Sequence, residues 1–365
     1  MAPTPESPEK SSLRSGPNAI DDNAIDDIAL GQAKASSAGV RKAPWWLAPI
    51  IGLVVFACFA PLGFTLGLGA VTTLTTVLMY TVIAQGWNLL GGYGGYLNFG
   101  AAVFFGAGAY TAGYLNSEFG WNVWQTMIPA ALAALVVSVI VGYATLRLRS
   151  HYFAIFTLVL TFLAMVVVKN WPALGGAVGL FVDVEGDFTS RSLAQYFYYL
   201  MFGLAVGATL IAYFVEHSNF GYALRAISED EPVAQVLGVK TTSVKLQALL
   251  IGAAVGGLAG AVYAFLTGYI EPTGTFNLDL ALDIVVVCVI GGLRSWLGPL
   301  FGAIIVVTLE QWLRVVVPNL DIFGFSIPAE SNRLVLGILL LIFALFVRRG
   351  LVGLFSRRRG RSVSI

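Results

Sequence analysis

The sequence predicts an all-α, polytopic integral membrane protein of about ten transmembrane helices, some of them short or broken. Three observations predict it. The 365 residues are 57% hydrophobic and only 11% charged, against roughly 25% charged in a soluble domain. Apolar blocks recur from Trp45 to Val347, most of them with about the 20 residues that a helix needs to cross a ~30 Å hydrocarbon core. Glycine is abundant at 41 residues, which membrane helices tolerate because small residues let backbones approach closely.

Residues 1–43 are rich in Ser, Pro, Ala and Asp, with few large apolar side chains, and read as a disordered cytoplasmic tail. That segment lacks the basic start and apolar core of a signal peptide. Residues 44–348 form the membrane domain, with a polar cytoplasmic loop at 216–245, and 349–365 are a basic cytoplasmic tail. Helices are expected at 45–62, 71–90, 97–115, 124–146, 152–168, 196–215, 246–269, 281–293, 297–316 and 334–347. With both termini cytoplasmic, the inner loops hold Arg147, Arg149, Arg225, Lys240, Lys245, Arg294 and the tail arginines. The outer side keeps Lys169, Arg191, Arg314 and Arg333. That asymmetry is the positive-inside pattern.

Two blocks depart from plain spanning helices. The 281–293 block is too short to cross alone, so it must close with 297–316 around a buried turn at Arg294-Ser295. The stretch from Gly91 to Tyr110 is dense in glycine, each costing ~1 kcal/mol in a helix relative to Ala. It reads as a break that lines a cavity or packs tightly. Enlarging Gly92 or Gly95 should be tolerated less well than enlarging Gly142.

The cytoplasmic stretch Asn219 to Leu246 is too polar for lipid. Ser228 followed by Glu231 fits a capping box, and Glu229, Asp230 and Glu231 suit the positive end of a helix dipole. Pro232 fits a first turn, Val233, Val236 and Leu237 make an apolar face, and Gly238 can end the helix in the left-handed conformation. A helix of about two turns from Ser228 to Gly238 would not persist alone, since fewer than ~12 residues are marginal in water. It rests either on its own protein or on a docking partner.

These residues resemble the cytoplasmic coupling loop of Liv-type permeases, the branched-chain amino-acid branch of the ATP-binding-cassette importers. The resemblance lies in Ala223-Leu224-Arg225-Ala226-Ile227, the acids 229–231, Ala234 and Leu237-Gly238-Val239. It continues through Gly86 to Leu115, His151 to Leu160, Gly257 to Ala264 and Val289 to Ile304. Departures are Tyr96 to Ala101, Leu174 to Gly179, and Arg294 where a glycine is usual. The resemblance implies ATPase-coupling roles for Arg225, Ser228, Glu229, Asp230, Glu231, Val233, Ala234, Leu237 and Gly238. Asn88, Gly91, Gly92, Gly95, Asn98, Gly100 and Thr157 are candidates to border the substrate pathway. It also implies a multi-pass protein of the bacterial inner membrane. Its partners would be two cytoplasmic ATPase subunits, a second homologous permease, a periplasmic substrate-binding protein and lipid, with no nucleic acid.

The chain has no Gly-x-x-x-x-Gly-Lys-Ser/Thr phosphate loop, so ATP would be bound and hydrolysed on partner subunits and no cofactor or metal on this one. Urea and short amides are alternative substrates within the same superfamily. A secondary transporter or channel would need intramembrane charges facing a cavity; Asp283 and Glu310 are the two to weigh. Asp283 is expected in the first turn of its helix, and Glu310 can pair with Arg314 one turn later. An intramembrane enzyme would need His-Glu-x-x-His or convergent acids, which the sequence lacks. Cys58 is expected as a membrane-core residue rather than a lipid attachment site.

Overall fold

The computed structural model describes residues 52, 56–148, 150–184, 186, 188–316, 321–322, 325–326 and 337. The chain divides into two units, Met1–Leu53 and Val54–Ile365, and the elements below lie in the second. The expected block 334–347 apart from Gly337, most of 45–62, and both tails fall outside the described residues.

A short helix, α1 (Leu62–Thr65), leads into α2 (Leu68–Asn88). A π-helical turn, Leu89–Tyr93, ends α2, and the chain runs irregularly to Gly100 before α3 (Ala101–Phe119). Then follow α4 (Val123–Thr145), α5 (Ser150–Lys169) and α6 (Ser190–Glu216). Two surface helices, α7 (Asn219–Glu229) and α8 (Glu231–Val236), precede α9 (Thr241–Thr267). After α10 (Pro272–Thr275) come α11 (Leu278–Gly291) and α12 (Gly298–Val316). Among the described residues, six stretches are long and apolar enough to cross a membrane: Leu68–Tyr93, Val123–Thr145, His151–Lys169, Ser190–Glu216, Thr241–Thr267 and Pro272–Gly291. The chain is thus a nearly all-helical, multi-pass membrane protein. Its strands are two-residue pieces; β1 (Leu180–Phe181) pairs antiparallel with β2 (Tyr269–Ile270), Leu180 opposite Ile270.

Helix ends follow local chemistry. Asn122 and Gln125 form a reciprocal capping box on α4, which satisfies two amides that the first turn leaves without partners. Gly268 adopts φ 68° past the end of α9, where a side chain would be strained.

The centre of the bundle is α9, wedged among α2, α3 and α4. A Cβ on Gly108 would lie 2.1 Å from the Gly257 carbonyl oxygen, and one on Gly260 would lie 2.0 Å from that of Phe105. Without side chains at these crossings, α3 and α9 meet backbone to backbone. The periphery is different. On α4, Ile128, Leu132, Val136, Ile140 and Tyr143 are all exposed along one stripe, which suits a lipid solvent.

Several boundaries differ from expectation. The helix expected from 246 begins at Thr241, so Lys245 is not a loop residue but lies 2% exposed inside α9. The 292–297 turn is not buried, because Leu293 and Arg294 are exposed and Ser295 to Leu297 half-buried. Because α11 starts at Leu278, Asp279 rather than Asp283 occupies its first turn. Gly142 is packed, with its Cβ position 2.7 Å from Leu246 Cδ1, and does not make a tolerant reference site. Glu310 and Arg314 pair at 2.5 Å as expected. Cys58 is exposed and unbridged.

Candidate functional site

The polar loop folds as two helices with a sharp break, not as one helix from Ser228 to Gly238. Ser218 caps α7 by accepting from the Gly221 amide, so Ser228 falls in the last turn of α7. Asp230, extended at φ −157°, is the N-cap of α8 and accepts from the Val233 amide at 3.0 Å. Asp230 therefore displaces the Ser228 and Glu231 capping box. Pro232 does occupy the first turn of α8, and Gly238 takes φ 90° beyond it.

Glu231 is released from capping and turns toward the membrane domain. One oxygen accepts from Lys245 Nζ at 2.6 Å and the other from the Tyr96 hydroxyl. Lys245 also donates to the Leu146 carbonyl at 3.1 Å and to the Tyr96 hydroxyl at 3.2 Å. It stands 4.5 Å from the centre of the Tyr96 ring. A buried ammonium is costly unless its donors are satisfied, and here three acceptors and an aromatic face do so. Burial works against ionisation of Glu231, yet hydrogen bonds from Lys245 and Tyr96, together with the Lys245 charge, hold its carboxyl below the usual range. Burial first, then the hydrogen bond and charge of Glu231, push the Tyr96 phenol up.

A second knot lies beside this one. Arg294 has φ 62°, a left-handed conformation that costs a non-glycine residue about 1 kcal/mol or more. From it the guanidinium reaches Glu229 at 2.8 Å and the Ser228 hydroxyl at 2.7 Å. Glu216 accepts from the Tyr93 hydroxyl at 2.6 Å and the Trp296 amide at 3.0 Å, and pairs with Arg225 at 3.4 Å. The loop is thereby tied to the break after α2 and to the turn between α11 and α12.

The residues proposed for the substrate pathway are brought together as the packing of that break. Asn88 is fully buried and donates to the Ser295 carbonyl at 3.1 Å. A Cβ on Gly91 would meet the Trp87 ring at 2.5 Å, and one on Gly92 would meet Asn88 Oδ1 at 1.8 Å. Gly95, at φ 73°, lies against Ser228. Asn98 accepts from the Gly100 amide at 2.9 Å, and Trp87 donates to the Asn98 carbonyl at 2.7 Å. Thr157, also buried, accepts from the Phe99 amide at 3.1 Å. One cavity touching this segment, bordered by Trp87 and Asn98, has about 10 Å³ of free space, room for one water at most, while a wider cleft of about 710 Å³, lined by Gly95, Tyr96, Ser228, Glu231 and Lys245, opens where the break meets the loop.

On the loop's outer surface, Val233, Val236 and Leu237 are 53%, 88% and 77% exposed. Ala234 is instead 2% exposed and packs with Leu224 and Leu249 in the protein's own core. Enlarging it would break the loop's seat rather than clash with a partner. Tyr96, Glu216 and Lys245 were not singled out from sequence as site residues. The signal available was a lysine five residues into an otherwise apolar helix.

The family described as "Branched-chain amino acid transport system / permease component" matches residues 69–344. The chain belongs to this family. Among relatives of this permease is the high-affinity branched-chain amino acid transport system permease protein LivM of Salmonella typhimurium. It is 26% identical over 331 residues, covering 83% of this chain and 74% of the relative. A probable branched-chain amino acid transport permease protein LivH of Methanocaldococcus jannaschii is 22% identical, covering 73% and 86%. An autoinducer 2 import system permease protein LsrC of Escherichia coli is 30% identical over 155 residues, covering 40% of this chain and 44% of the relative. No solved structure matches the permease. Among the described residues no group of His, Cys, Asp and Glu is arranged to hold a metal.

Proposed function

We propose that this permease is a translocation subunit of an ATP-binding-cassette importer that carries branched-chain amino acids across the bacterial inner membrane. Two ATPase subunits, a second permease and a periplasmic binding protein complete it. Loop 216–245 and both termini face the cytoplasm. The observation that carries the reading is the two-sided loop. Its outer tip, Val236 and Leu237, is apolar and 88% and 77% exposed, while its inner side is clamped through Glu231, Lys245 and Tyr96 to α9 and the α2–α3 break. An exposed apolar tip on a short helix fits a groove on a partner. Movement of that partner on binding or hydrolysing ATP then pulls α8, and the clamp passes the displacement to the break. Asn88, Gly91, Gly92, Gly95, Asn98, Gly100 and Thr157 form the part that yields, beside the solute path.

The test is reconstitution with candidate ATPases and binding protein in proteoliposomes. ATP-dependent leucine uptake that urea does not compete with is the expected result. Uptake of urea in place of leucine would favour the amide-carrying reading, and uptake without ATPases would reject the importer.

A further inference from the structure

At the end of the bundle away from the loop, α9 stops at Thr267 and the return crossing becomes regular helix only at Leu278. The irregular chain between them descends along α3. Ile270 Cδ1 lies 2.7 Å from where a Cβ on Gly113 would stand, and Phe276 Cε1 lies 2.2 Å from the same position on Gly106, about two turns nearer the Ala101 end of α3. The Phe276 ring therefore sits about 20 Å inside the Phe119 end of that helix. From this depth the 14 residues of α11, about 21 Å of helix, reach the turn at 292–297. Non-helical backbone at membrane depth persists only where protein buries it or a path runs beside it, and in transporters such broken crossings border the solute path.

Pairing with β1 pins Tyr269 and Ile270. Beyond them α10 closes its own backbone bonds, the Thr275 amide donating to Glu271 and the Phe276 amide to Pro272, each at 3.0 Å. Asn277 then accepts from the Asp279 amide at 2.9 Å and caps α11. Glu271 to Phe276 thus form a short strap between two anchored ends. Phe276 is buried in the notch over Gly106 and stacks on the Tyr110 ring, with centroids 5.6 Å apart and planes at 24°. Tyr110 is 3% exposed, yet its hydroxyl has no hydrogen-bond partner among the described residues. A buried hydroxyl without a partner is costly, and a second arrangement of the strap would supply one.

We propose that Phe276 is the plug of the solute path, carried on the strap from Glu271 to Phe276, and that Tyr110 lines the path once the plug withdraws, its hydroxyl then meeting hydrated solute. The proposal rests on the transport reading above and adds to it the place where the path is closed.

The full-length chain carrying Cys58→Ser and Thr275→Cys, in lipid nanodiscs, is labelled with a membrane-impermeant methanethiosulfonate. Thr275 is 1% exposed and close to cysteine in size, and Cys288, 0% exposed, reports whether the helices stay packed. Adding Phe276→Ala should speed labelling at position 275 at least about tenfold, as for a strap freed of its aromatic anchor, while Cys288 stays unlabelled. An unchanged rate would show that Phe276 does not hold the strap, and labelling of Cys288 in step would show that it is part of the general core; either overturns the plug. This arm needs no ATPase, so it stands or falls apart from the transport reading. In the whole assembly, with Phe276 intact, ATP and loaded binding protein should raise the rate at position 275, which covers the case in which Phe276→Ala does not insert. A rate that stays constant while uptake proceeds would overturn the plug and leave the transport reading in place. Tyr110→Phe, which removes only the unpartnered hydroxyl, should hold or raise the unfolding midpoint and lower leucine uptake about fivefold, the worth of one neutral hydrogen bond. Uptake equal to that of the native chain would overturn the role of Tyr110.

Discussion

Lys245 is 2% exposed, and its partner Glu231 keeps 23% of its side chain in solvent. Removing one member of a fully buried pair costs about 3–5 kcal/mol; with one end wet, Lys245→Met should cost about 2 kcal/mol, read as a lower unfolding midpoint. The carboxyl of Glu231 is held below its ordinary range. Its contribution is therefore present above the unfolded carboxylate pKa and lost as pH falls through the lower folded value. Comparing midpoints of the native chain and Glu231→Gln should show their widest gap near neutrality, closing below about pH 4. A gap independent of pH would contradict the ionic clamp. At Arg294, the left-handed backbone is the conformation that a glycine would adopt without strain. Arg294→Gly should relieve about 1 kcal/mol, offset by the loss of exposed contacts to Glu229 and Ser228. The midpoint should thus hardly move while ATP-driven uptake falls. Little of this was legible beforehand: the loop's acids drew attention as a group, but which one caps and which turns inward depends on tertiary partners 14 to 135 positions away.

Among the elements, spanning helices were readable because lipid demands about 20 apolar residues. Val123–Thr145 and Gly298–Val316 lie within a residue of expectation. Polar first turns were hidden by the same criterion. Thr241 to Lys245 form the polar start of α9, because Lys245 is satisfied by Glu231, Tyr96 and the Leu146 carbonyl. The break after α2 was legible in its glycines, and its form follows from packing: at Gly92 a Cβ would overlap Asn88, while at Gly203 and Gly207 nothing lies within 4 Å. Gly92→Ala should therefore lower both stability and uptake, with a stability loss of about 1–3 kcal/mol from overpacking. Gly203→Ala should leave both within about 0.5 kcal/mol and twofold, respectively. Equal tolerance at the two positions in paired unfolding and uptake assays would count against a tightly packed hinge.

For the whole molecule, two apolar surfaces have different meanings. The α4 stripe from Ile128 to Tyr143 lies on a membrane-spanning helix and meets lipid or another helix. Val236 and Leu237 lie outside every span, where exposed apolar side chains mark an interaction site. The central claim is that this tip takes up work from ATPase subunits and delivers it through the Glu231 clamp. The most direct measurement is the ATPase activity and leucine uptake of the reconstituted assembly bearing Val236→Asp together with Leu237→Asp. Both side chains already face solvent, so the permease should insert and unfold normally. ATPase stimulation by loaded binding protein and ATP-driven uptake should both fall at least about tenfold, as for loss of an interface hot spot. A normally assembled variant that retains full stimulation and full uptake would contradict the account.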